Sequence, residues 1–211
     1  MDKWHDFKEF YNHLIREVYH EPDSFLTTDV VDKMLPGFLK LLPKDASILD
    51  LGCGAGYALT KMRESGYENV EGLTLDPQDT KIVEERGFKV NNLDFNFTGW
   101  ENKWDAVWMR HVLEHSPFPF FTIYQLNKMM KIGGIIYIEM PKPGTDRNLE
   151  HWPNHYSIMG REMYLSLFKR CGFDYGEGAE IDLDLNLPDG GKAKETYDWY
   201  LFQKTKDIVI E

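Results

Sequence analysis

A chain of 211 residues with 42% hydrophobic and 14% aromatic content can bury one substantial core without disulfides, so a single domain over residues 1–211 is expected. Its 35 acidic against 24 basic side chains leave a formal charge of −11 with no basic cluster, which disfavours nucleic acid as a partner. The N-terminal segment lacks the apolar core of a signal peptide and no run approaches the ~18 apolar residues of a membrane span, so a cytoplasmic protein with no membrane insertion is expected; Cys53 and Cys171 then read as reduced thiols.

Phe7, Phe10, Tyr11, Leu14, Ile15 and Val18 recur at helical spacing and predict an amphipathic helix on the core. A second helix follows Thr28 with Val30, Val31, Met34 and Leu35, is expected to bend or break at Pro36-Gly37, and resumes as Phe38–Leu42. From residue 46 strands and helices alternate: strands over 46–51, 70–75, 88–91, 104–109 and 135–140, helices over 57–65, 78–86 and 119–131. That order predicts a parallel sheet with right-handed crossovers. Ser116-Pro117 suits a helix start, and Gly133-Gly134 a turn into the following strand. The polar, proline-rich stretch from Pro141 to His155 is the kind of loop at which substrates meet an open sheet. A helix over 160–170 and a long hairpin, Tyr175–Leu187 and Tyr197–Lys204 about an Asp189-Gly190-Gly191 turn, complete the pattern.

The first strand, Ile48-Leu49-Asp50-Leu51, runs into Gly52-Cys53-Gly54-Ala55-Gly56. Glycines there remove the Cβ atoms that would hold a ligand off the backbone, and the next helix presents its N-terminal amides. A dinucleotide turn would space its glycines G-x-G-x-x-G, whereas these are G-x-G-x-G. Asp50 would repel a pyrophosphate but attract an ammonium or sulfonium group, or else cap the turn. S-adenosylmethionine carries both cations.

Ile48–Gly56 resembles the first motif of the class I S-adenosylmethionine-dependent methyltransferases. Val70–Asp76 is similar to that family's second strand, Val90–Phe95 to its third, Trp104–His115 to its fourth strand and exit, and Leu126–Met140 to the following helix, turn and fifth strand. The resemblance runs over residues 45–175 in family order. It implies an α/β, Rossmann-like fold: a mostly parallel seven-stranded sheet with helices on both faces, an N-terminal helical lid (1–44), a cofactor-binding core (45–140), and a substrate loop with C-terminal strands (141–211). It also implies S-adenosylmethionine as cofactor and S-adenosylhomocysteine as product.

The implied cofactor residues are Asp50, Gly52, Gly54 and Gly56, with Cys53 a small filler in the turn and Gly56 equally suited to helix packing. The family's ribose acid falls at Thr74, with Asp76 two residues later. Gly72-Leu73-Thr74-Leu75 also resembles the cyclopropane fatty-acid synthase branch, in which a threonine and a following glutamine take that role. Thr74, Asp76 and Gln78 are therefore all ribose candidates, Asp76 alternatively a helix cap. Asp94-Phe95 matches the adenine position, or else forms an Asx turn.

His111-Val112-Leu113-Glu114-His115 formally matches an inverted zinc-peptidase motif, but that reading needs a helix, and this run leaves a buried strand and meets Ser116-Pro117 at once. The same run is familiar in small-molecule methyltransferases similar to the ubiquinone-biosynthesis group, beside the cofactor's methionine end. Methyl transfer requires alignment above all, and a hydroxyl acceptor gains from a base. His111 is the first candidate base, or a structural histidine; His155 is the second. His151, Trp152 and Tyr156 could shape the acceptor pocket, Glu139 is a further candidate, and Glu114 and His115 could orient one another or meet a divalent metal, although no metal is assigned. The expected function is methyl transfer to a small-molecule acceptor such as a hydroxylated metabolite or sugar. The alternatives are a cofactor-binding regulatory protein without turnover and, third, a nicotinamide oxidoreductase.

Overall fold

The computed structural model describes residues 3–15, 20, 23–145, 152–186 and 192–208. Seven strands form one sheet: β1 (Ile48–Leu51), β2 (Val70–Thr74), β3 (Lys89–Asn92), β4 (Trp104–Arg110), β5 (Met130–Pro141), β6 (Phe173–Asn186) and β7 (Lys192–Lys204). Their order is β3-β2-β1-β4-β5-β7-β6. The first five run parallel, while β7 pairs antiparallel with both β5 and β6. Direction of travel reverses between β1 and β4, the point at which an open sheet leaves a crevice beyond its strand ends.

Period-two alternation sorts each strand's side chains between two cores. Leu49, Leu51, Val107, Met109, Ile136 and Ile138 face α5 (Pro119–Met129) and α6 (Arg161–Arg170), where Ile123, Leu126 and Phe168 are sealed. Ile48, Ala106, Trp108 and Tyr137 face α2 (Phe25–Leu39), α3 (Tyr57–Glu64) and α4 (Pro77–Glu85) through Phe38, Leu59 and Val83. Trp108 and Tyr137 stack at 4.1 Å across β4 and β5, beneath Phe38. Among the described side chains of the remaining helix, α1 (Lys3–Ile15), only Tyr11 is buried.

Several boundaries differ from the sequence pattern; α5, for one, starts at Pro119 with Phe118 at its N-cap, and not at Ser116-Pro117. α2 starts at Phe25, capped by Ser24 rather than after Thr28, and continues through Pro36 to Leu39 without a break. An internal proline costs about 3 kcal/mol, and here Val31, Leu35, Phe38 and Leu39 repay it by burying one face on the sheet. α5 ends at Met129 and β5 begins at Met130, so Gly133-Gly134 lies within the strand: a register shift between Trp104 and Ala106 absorbs residues 131–134. β7 begins at Lys192, earlier than expected. Val18 and the Asp189–Gly191 turn lie outside the described residues. Among the described residues no helix is long and apolar enough to cross a membrane.

One buried cation ties the C-terminal hairpin to the core. The Lys204 side chain is fully buried, and its Nζ donates to the Asn127 and Met130 carbonyls, 2.7 Å each, and pairs with Asp207 at 2.6 Å. Removing the ammonium strands two buried carbonyls where α5 meets β5. Lys204→Met is therefore expected to cost about 2–4 kcal/mol in urea unfolding while leaving ligand affinity at the far ends of the strands unchanged.

Candidate functional site

The C-terminal ends of β1, β2 and β4 open onto two adjoining cavities. The first, about 940 Å³ with its mouth, is lined by Thr74, Leu75, Asp79, Leu93, Asp94, Phe95 and Asn96, and by Tyr11, Leu14 and Ile15 of α1. The second, about 1040 Å³ with its mouth, is lined by Asp50, Cys53, Arg110, Glu114, Trp152, His155 and Tyr197 among others. Gly52, Gly54, His111 and His115 line both, so the two spaces meet at the glycine turn and the exit of β4.

The glycine turn is shaped by backbone geometry. Gly52, Gly54 and Gly56 all have positive φ, and Gly52 and Cys53 both donate to the Leu73 carbonyl, at 2.8 and 3.0 Å, binding the turn to the end of β2. A Cβ on Gly52 would overlap Val112. Gly56 stands behind both cavities; a Cβ there would press on Val83 of α4 at 3.0 Å, so its requirement is helix packing. Cys53 is a buried wall of the second cavity, its thiol pushed well up by burial and by Asp50 and Asp79.

Four carboxylates at this end of the sheet have separate tasks. Asp50 is buried at the end of β1; its Oδ2 has no hydrogen-bond partner, and burial lifts the group to about 7 against the pull of Arg110. A buried carboxylate oxygen left unpaired in a cavity wall suits a cationic ligand group. Asp76 is spent as the N-cap of α4, accepting from the amides of Gln78 at 2.7 Å and Asp79 at 2.9 Å. Neither Asp76 nor Gln78 lines a cavity, whereas Thr74 and Asp79 line the first. Asp79, one turn into α4 and 1% exposed, is paired with His20. Asp94 forms the Asx cap of a 3-10 turn (Phe95–Phe97) through Oδ1 and still faces the first cavity, where Tyr11 donates to its Oδ2 at 2.6 Å.

The exit of β4 carries a buried network of charge. Arg110 stands opposite Glu139 in the sheet register and donates to its Oε1 from Nε at 3.0 Å and Nη2 at 2.6 Å. His111, at φ +51, turns the chain out of the strand; its Nε2 meets Glu139 at 3.2 Å and its Nδ1 meets Glu114 at 3.1 Å. Burial would lower this imidazole, yet the two carboxylates raise it to about 9, while Arg110 and His111 overcome burial to hold Glu139 near 2. Both ring nitrogens of His111 thus lie against carboxylates, an arrangement that favours the imidazolium. Leu113–His115 form a single 3-10 turn, so the helix that an H-x-x-E-H zinc site needs is absent from this stretch.

Sequence reasoning overlooked Arg110, Asp79, Asn96 and the cavity role of Tyr11. His155 is buried, stacks on Trp152 at 5.4 Å and lines the second cavity. Tyr156 instead lines the first, and His151 lies outside the described residues. Glu114, His115 and His155 each place a donor atom within 4.8 Å of the others, as do His20, Asp76 and Asp79, so either trio has the reach to hold a metal ion.

The sheet order, the glycine turn and an unpaired acid at the end of β1 define a Rossmann-like methyltransferase fold. Residues 23–182 match the family described as "Methyltransferase domain", and the chain belongs to it, among the class I S-adenosylmethionine-dependent methyltransferases. Similar proteins include a tRNA U34 carboxymethyltransferase of Tolumonas auensis, 29% identical over 78% of this chain and 54% of that protein, and a ubiquinone biosynthesis O-methyltransferase of Nitrosospira multiformis, 26% identical over 80% and 72%. This chain therefore spans about half the length of the first and nearly three quarters of the second. Among solved structures, the 1,6-didemethyltoxoflavin-N1-methyltransferase of Burkholderia thailandensis, with S-adenosylhomocysteine bound, has the same fold at a TM-score of 0.65, 16% identity, and coverage of 96% of this chain and 87% of that one.

Asp50 sets a pH signature. The ionised carboxylate is the form that attracts an ammonium, and it is lost as pH falls through about 7. Affinity for S-adenosylmethionine by calorimetry is expected to weaken from pH 8 to pH 6. Asp50→Asn should bind about 10–100-fold more weakly, from the loss of a charged hydrogen bond, and be much less dependent on pH.

Proposed function

We propose that this protein binds S-adenosylmethionine across the two cavities and transfers its methyl group to a small-molecule acceptor in the second. The observation that carries this reading is the junction: a cleft with carboxylates for a nucleoside meets one with an unpaired carboxylate for an ammonium, at glycines that let a ligand pass between them. Asp94 and Phe95 would take the adenine, Thr74 and Asp79 the ribose, and Asp50 the methionyl ammonium. The bound cofactor supplies an electrophilic methyl group on a sulfonium.

The chain's own groups align and shield the acceptor. His111, clamped between Glu114 and Glu139, holds the wall where the cavities meet. Methyl transfer to a hydroxyl breaks the sulfonium C–S bond as the O–C bond forms and releases the hydroxyl proton, and His155, buried against Trp152 in the second cavity, is the imidazole placed to receive it. A small molecule is favoured over a nucleic acid because, among the described residues, the only lysine or arginine lining either cavity is Arg110, already paired to Glu139. Phosphates would find no free cation among these linings. A hydroxylated acceptor follows from the histidine.

Calorimetry with S-adenosylmethionine, S-adenosylhomocysteine and NADH tests the cofactor, and labelled-methyl transfer into a metabolite extract tests turnover. Micromolar binding of the sulfur ligands alone, with label in a small molecule, is expected. Binding without label in any fraction would favour the regulatory reading, label in tRNA would replace the acceptor class, and NADH binding alone would overturn the cofactor.

The ribose assignment has its own test. Asp79→Asn is expected to weaken S-adenosylhomocysteine binding by about tenfold, roughly one charge-assisted hydrogen bond. Asp76→Ala is expected to leave affinity unchanged and cost about 1 kcal/mol of thermal stability from the lost helix cap. The reverse pattern in calorimetry and thermal melts would return the ribose to Asp76.

A further inference from the structure

α1 is held by few contacts for an element that roofs a ligand cavity. Thirteen residues are too few for a stable isolated helix, and its apolar residues Phe7 and Phe10 are 41% and 53% exposed. Tyr11 is the exception at 5%. Its ring lies against Phe97 edge-on at 5.3 Å and stacks with Phe118 at 6.2 Å, while its hydroxyl enters a buried chain of polar groups.

The direction of that chain is set by its donors. Ser116 Oγ and Thr122 Oγ1 are 2.7 Å apart, Thr122 donates to Asn96 Oδ1 at 3.1 Å, and Asn96 Nδ2 donates to the Tyr11 oxygen at 3.0 Å. With its oxygen so occupied, the Tyr11 hydroxyl proton has one direction left, toward Asp94 Oδ2 at 2.6 Å. Asp94 Oδ1 is fixed in turn by the Asn96 amide at 2.9 Å. The carboxylate is therefore held at both oxygens, in a residue that lines the first cavity. On the far side of α1, Tyr156 donates to the Leu14 carbonyl at 3.2 Å, so the same helix also touches the loop after β5.

We propose that Tyr11 is a positioning residue of the cofactor site: through its hydroxyl it aims Asp94 at the exocyclic amine of the adenine, and as the anchor of α1 it latches the roof, so that S-adenosylhomocysteine leaves only when this bond opens. The inference rests on the cofactor reading above. It assigns to α1 both base discrimination and control of product release, and a roof carried by one short helix opens by local unfolding rather than by moving the sheet.

The test is stopped-flow binding of S-adenosylhomocysteine and of its 6-oxo analogue, S-inosylhomocysteine, to the full chain. Tyr11→Phe keeps the ring and removes the hydroxyl; Phe10→Ala alters the exposed face of the same helix. The Phe variant is expected to release S-adenosylhomocysteine at least tenfold faster and to lose several-fold of its preference for the adenine ligand, with an unchanged melting temperature. Phe10→Ala should match the wild type in both, and adding Tyr11→Phe to Asp94→Ala should bring no further loss of preference. If wild type and Tyr11→Phe share release rate and preference, or if Phe10→Ala reproduces the effect, the assignment to Tyr11 falls while the cofactor reading stands. Failure of the wild type to bind S-adenosylhomocysteine overturns the cofactor reading itself.

Discussion

The ion pair between Arg110 and Glu139 is the constraint on which the site depends. Both side chains stand at the C-terminal ends of neighbouring parallel strands, in register, where unpaired charge would be costly. Glu139 cannot be left alone in so apolar a strand, and Arg110 alone is not enough: the carboxylate also takes Tyr137 at 2.9 Å and His111 at 3.2 Å. This pull accounts for the position of His111, which leaves the strand in a left-handed conformation that costs a non-glycine residue about 1 kcal/mol or more. Once held, His111 carries Glu114 with it, and the Glu114 carbonyl accepts from the Ser157 amide at 2.9 Å, bringing the loop after β5 to the cavity. A cross-strand ion pair thereby sets the wall where the two cavities join.

The acids around the cleft show how one residue type is divided between structure and ligand. Asp76 has the most favourable sequence position for a ligand role, yet the first turn of α4 claims it, because exposed helix amides need an acceptor and a cap satisfies them at once. Asp79, three residues on, points back over the same turn into the cavity, as side chains one helical turn apart share a face. Asp50 keeps an oxygen unpaired, and that unpaired oxygen is the feature that marks a ligand position. Geometry after capping decides which carboxylate is available.

These distinctions explain what the sequence could reveal. The glycine turn was legible because its requirement is local: positive φ at Gly52 and Gly54 is a property of the residues themselves. The alternation of strands and helices was legible for the same reason, since the central strands β1 and β4 are buried along nearly their whole length and the helices packed on them along one face. Pro36 misled because tertiary burial of α2 outweighs a local penalty. The role of Arg110 was hidden because its partner is 29 residues away and meets it only once the β4–β5 register is known. Tyr11 counted correctly as an apolar position in a helix, but its hydroxyl acquires meaning only beside Asp94, 83 residues later.

The same reasoning separates the two walls of the site. The strand ends supply a rigid frame whose acids and glycines face the two cavities, and their positions are fixed by ladder register. The far wall of the second cavity is different: Trp152, His155 and Tyr197 come from the loop after β5 and from the hairpin strand β7, outside the β1–β4 crevice. Tyr197 packs edge-on against His111 at 4.5 Å and, with Val30, ties the hairpin to α2. A change of acceptor would accordingly be met by changing the β5 loop or the hairpin, with the charged clamp at His111 left intact to present whatever arrives to the same methyl group.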